Sequence, residues 1–119
     1  MQNFVQDGST IDYTNGGSAI SSGDVVVVGQ SIGIAVGDIA NGETGVLSIE
    51  GVYDVAKVSA AVIGQGESVI WDASASAFDD NAATPATGDV SGCCVAMEAA
   101  GNGVTTISVK LNCGVGTVA

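Results

Sequence analysis

Short apolar runs, most of them four to six residues long, recur along the chain and are separated by turns that contain glycine. Within the runs, apolar and polar residues mostly alternate, which is the two-residue period of a half-buried strand. "TIDYT" (10–14) puts Ile11 and Tyr13 on one face. "DVVVVG" (24–29) is apolar on both faces and predicts a central strand, and "SIGIAV" follows it across Gly29-Gln30. "TGVLSIEGVYDVAK" (44–57) is the longest extended candidate. Leu47, Ile49, Tyr53 and Val55 share one parity there, and Gly51 between them predicts a bulge or bend. "ESVIWD" places Val69 and Trp71 together. "TTISVKLN" turns Ile107, Val109 and Leu111 inward and Ser108, Lys110 and Asn112 outward, and "GCCVAME" pairs with it through "AAGNG" as a hairpin. The predicted core is Val26, Val28, Ile34, Leu47, Ile49, Tyr53, Val69, Trp71, Val95, Ile107, Val109 and Leu111.

The punctuation agrees with this reading. Eighteen glycines and one proline are spread over 119 residues. Asp7-Gly8, Asn15-Gly16, Asn41-Gly42 and Asn102-Gly103 are turn dipeptides, because Gly and Asn tolerate positive φ. No convincing amphipathic helix emerges. The segment 73–90, rich in Ala, Thr and Asp, reads as a long irregular and mobile loop, with a short turn of helix at Ala73–Ala77. The fold class is therefore all-β: a small single domain, barrel-like, with short strands, Gly-rich turns and little helix.

Charge and missing residue types narrow the chemistry. Thirteen acids oppose two bases, Lys57 and Lys110, for a net charge of −11. Nucleic-acid binding requires a basic footprint, which this chain lacks, and anionic membranes are disfavoured for the same reason. With no histidine, Ser-His-Asp and Cys-His systems and His-containing zinc sites are excluded. Neither lysine follows a glycine, so there is no phosphate loop, and "GQGESV" reads as a turn. "DDNAA" lacks the alternating ligands of a calcium loop. No catalytic residue, metal site or cofactor is expected. Cys93, Cys94 and Cys113 are odd in number and read as buried free thiols, with one pairing to Cys113 under oxidation as the alternative. On a regular strand Cys93 and Cys94 point to opposite faces. No basic stretch leads into an apolar one at the beginning, so no secretory signal is expected.

Several stretches, taken in order, resemble the capsid cement, or head decoration, proteins of tailed bacteriophages. They are "NFVQDG" (3–8), "SGDVVVVG" (22–29), "GIAVGDIANGETGVLSIEGVYDVAK" (33–57), "VIWD" (69–72) and "SVKLN" (108–112). Segment 73–90 and the Cys93-Cys94 pair depart from the family pattern. The resemblance implies a β-tulip fold similar to the lambda head decoration protein. It also implies a homotrimer on the outer capsid surface, at local three-fold positions, clamping the major capsid protein lattice. The protein would be made in the bacterial host cytoplasm and end in the virion. A β-rich binding module, such as a tail, fibre or adhesin-like domain, is the alternative from composition.

The same resemblance divides the chain into an N-terminal arm or edge strand (1–8) and a decoration domain (9–119). It assigns capsid binding to Asn3, Phe4, Val5 and Gln6. In an extended arm Phe4 and Gln6 face one way, and Asn3 and Val5 the other. Asp7-Gly8 would be the hinge.

Overall fold

The computed structural model describes residues 8–119. Ten strands form two antiparallel sheets, and no helix occurs among the described residues. The smaller sheet has the order β1-β4-β3-β2, from Thr10–Thr14, Thr44–Ser48, Ser31–Ala35 and Val25–Val28. The larger has the order β5-β9-β8-β6-β7, from Val52–Ala56, Thr106–Lys110, Val90–Ala96, Ser68–Asp72 and Ala77–Asp80. The short β10 (Thr117–Val118) adds to β8. The all-β expectation holds, although the sheets do not close into a barrel. The two ends of the larger sheet meet at one point, where Val58 N donates to Phe78 O at 2.9 Å.

The segment 44–57 supplies a strand to each sheet. It passes from β4 to β5 at Glu50-Gly51, where Gly51 takes φ 113°, a conformation that disfavours any side chain. The predicted bend is thus the crossing between sheets.

The main core lies between the sheets. Ile32 and Ile34 of the smaller sheet meet Val69, Trp71, Phe78, Val90, Ile107 and Val109 of the larger. A second cluster, of Val26, Ala35, Ile39 and Leu47, is flanked by Ile11, Tyr13, Ile20 and Val28. This arrangement corrects the prediction for β2. Its four valines are apolar on both faces because Val25 and Val27 pack on one cluster and Val26 and Val28 on the other. Yet β2 is an edge strand, paired only with β3. Double-sided burial, not central position, produced the pattern.

Eight of the twelve predicted core residues are fully buried; Val28, Ile49, Tyr53 and Val95 are half-buried. Tyr53 stays partly at the surface because its hydroxyl donates to Ser48 Oγ at 2.6 Å. Segment 73–90 is less irregular than its composition predicts. Residues 73–76 form a turn rather than a helix, and β7 follows in register with β6. Asp72 Oδ1 caps that turn, accepting from the hydroxyl and N–H of Ser74 and from Ala75 N. The Ser74 hydroxyl, followed by the Ala75 N–H, holds the Asp72 carboxyl below its ordinary pKa. Phe78 is completely buried, edge-on to Trp71 with centroids 5.0 Å apart.

The cysteines also depart from the regular-strand expectation. The β6–β8 register shifts between Val69↔Cys94 and Trp71↔Val90, so β8 carries extra residues there. The bulge brings both Cys93 and Cys94 into the main core. Cys113, expected to be buried, is exposed.

Candidate functional site

Asn3, Phe4, Val5 and Gln6 lie outside the described residues. The structure does show where the chain enters the domain. Ser9 O accepts from Ile49 N at 3.0 Å, which continues the β1–β4 pairing by one step. Gly8 adopts φ 83°, which suits the turn expected of Asp7-Gly8. It borders a depression of about 460 Å³ lined by Ile49, Glu50, Lys110, Leu111, Asn112 and Cys113. The start of β1 and the end of β9 therefore meet at this depression.

Asn112 organises its floor. Sequence alternation places this side chain outward, but β9 ends at Lys110 and Asn112 turns into the left-handed region at φ 53°. Asn tolerates that region better than most side chains. Its side chain then points inward. Nδ2 donates to Ile32 O at 2.8 Å and Ile49 O at 2.7 Å. Oδ1 accepts from Ile32 N at 3.0 Å and from Cys93 Sγ at 2.9 Å. One side chain thus ties β3, the β4–β5 crossing and β8 beneath the point where the N-terminal segment leaves. The only sequence signal was an Asn followed by Cys-Gly at the end of an alternating run.

Two further ties hold the surface in shape. Gln30, in the β2–β3 turn, exchanges hydrogen bonds with Gly116: Nε2 donates to Gly116 O, and Gly116 N donates to Gln30 O, both at 3.0 Å. Lys57 is buried, and its ammonium donates to the carbonyls of Val58 (2.8 Å), Val104 (3.0 Å), Gly101 (3.1 Å) and Ser59 (3.4 Å). One of the two bases is therefore a structural tie between two loops. Of the pair, Lys110 alone is exposed.

Among the described residues the exposed large apolar side chains are all valines. Val36 and Val46 adjoin, with Val36 N donating to Val46 O at 3.1 Å. Val62 and Val104 sit on the loops tied by Lys57, and Val115 and Val118 lie on the C-terminal tail. Such a surface offers apolar contact and negative charge. Among the described residues no three metal-ligating side chains converge, and no helix is long and apolar enough to cross a membrane. Cys93 and Cys94 are buried, and the hydrogen bond with Cys93, then burial, push the Cys94 thiol up.

This fold and surface define a small acidic all-β protein whose exposed large apolar side chains are valines. The family model for phage cement proteins matches residues 5–111. The chain belongs to that family, whose role is structural: cementing the capsid of a phage. The comparison with curated proteins gave no match.

Proposed function

We propose that the chain decorates the outer surface of a tailed-phage head as a homotrimer at local three-fold positions, and that it stabilises the major capsid protein lattice without catalysing a reaction. The observation that carries this reading is the family match across residues 5–111. The charge fits: −11 keeps a protein off the packaged nucleic acid while leaving it soluble. The valine surface fits as well, since many weak apolar contacts on one shell act together.

Within this reading residues 1–8 act as the arm and 9–119 as the domain. Asn3, Phe4, Val5 and Gln6 add an extended segment to a capsid subunit, with main-chain hydrogen bonds giving affinity and Phe4 and Val5 giving apolar burial. Ordering such a segment costs about 1–2 kcal/mol per residue, so those two side chains must bury well.

Deleting residues 2–6 tests the arm. Melting and oligomeric state should be unchanged, while co-sedimentation with undecorated capsids should be lost. A truncated protein that still decorates normally, or that unfolds or loses its oligomer, contradicts the arm assignment.

A further inference from the structure

The larger sheet ends in an open edge at β5. That strand pairs with β9 along one side. Leu111 N donates to Gly51 O and Lys57 N to Thr105 O, which turns the main-chain groups of the odd residues 51–57 toward β9. Strand geometry then turns the N–H and C=O of Val52, Asp54 and Ala56 away from the sheet. The next residue of that parity, Val58, is the one that meets Phe78. The parallel bridge between Lys57 and Phe78 takes the Ala56 carbonyl as well, so the edge without a partner strand runs from Val52 through Asp54 to the Ala56 N–H.

A cleft of about 490 Å³ lies along this edge. It is lined by Asp54 and Ala56 on one side and by Asp24 and Val25, at the start of edge strand β2, on the other, together with Trp71 and Ser76. The cleft thus combines outward main-chain donors and acceptors, apolar surface from Val25 and Trp71, and two carboxylates. Asp24 Oδ2 accepts from Ser21 N and Asp54 Oδ1 from the Ser108 hydroxyl, and each carboxylate has a second oxygen.

We propose that the β5 edge is a strand-addition site for an extended, lysine- or arginine-bearing segment of the capsid protein. Exposed edges are templates for pairing unless they are blunted. This one carries no proline, no lysine and no bulge. Its carboxylates, on a chain of charge −11, repel a second copy and favour a basic strand. Main-chain pairing supplies affinity, and Asp24 and Asp54 select the basic side chain. The identity of the partner rests on the decoration reading; the open edge does not.

Hydrogen exchange on the unmodified protein tests the proposal. Free in solution, the amides of Val52, Asp54 and Ala56 should exchange fast and those of Tyr53 and Val55 slowly. Bound to undecorated capsids, the peptide covering 50–58 should lose as much as one deuteron of uptake per outward amide. Ala56→Pro removes an outward N–H and no internal bond, so it should melt normally and bind about tenfold more weakly per site. Capsid-bound protein whose β5 amides exchange as they do in the free protein would overturn the inference while leaving decoration intact. Unweakened binding by a folded Ala56→Pro protein would do the same. Failure to associate with capsids at all would overturn both readings.

Discussion

Asn112 and Ile32 are joined by a reciprocal pair of hydrogen bonds: the Asn112 carboxamide accepts from Ile32 N at 3.0 Å and donates to Ile32 O at 2.8 Å. A side chain from the end of the larger sheet thereby takes the place of a neighbouring strand beside the smaller one. The third bond, to Ile49 O, fixes the crossing of the chain between the sheets.

Replacing Asn112 with alanine should be costly. It leaves the main-chain groups of Ile32 and the carbonyl of Ile49 unpaired, at a left-handed position that alanine disfavours. A loss of about 2–4 kcal/mol is expected in urea unfolding. Asn112→Asp keeps the acceptor but loses both donated bonds and should recover little of it.

Lys57 should prove a stability residue rather than a surface charge. Lys57→Met keeps the buried stem but strips the donor from the carbonyls of Val58, Gly101 and Val104. We expect a loss of about 2–4 kcal/mol in the same assay. A change within about 0.5 kcal/mol, typical of a surface site, would show that the ammonium is not engaged.

Phe78→Ala should cost about 3–5 kcal/mol, because a fully buried ring leaves a cavity against Trp71. Trp71 emission should shift to the red as water enters. Wild-type stability with unshifted emission would mean that β7 is not packed on β6.

The thiols should separate by accessibility. Under native conditions Cys113 should react promptly with a thiol reagent, and Cys93 and Cys94 only on unfolding. Prompt reaction of all the thiols in the folded protein would contradict the buried bulge in β8.

Local alternation made much of the fold legible. β1 falls on "TIDYT" as predicted, and the β8–β9 hairpin joins the two runs expected to pair. What escaped depends on tertiary context. The valines of β2 gave no sign that two clusters flank an edge strand. The strand "AFDD" hid in an acidic, alanine-rich stretch because only Ala77 and Phe78 are buried, and of these only Phe78 joins the main core. Adjacent cysteines alternate on a regular strand, and no local feature except Gly92 (φ 78°) announced the bulge that buries both. Asn112 looked outward because alternation was carried past the end of β9. The arm residues Asn3 to Gln6 came from family resemblance and precede the described residues, whereas the β5 edge became visible only once pairing partners were known.

Cryo-electron microscopy of the phage head that carries this protein would locate it on the particle. The two-sheet domain should fit density on the outer capsid surface, three copies around each local three-fold position. Heads lacking such density, or the same domain found in the tail or a fibre, would contradict this placement.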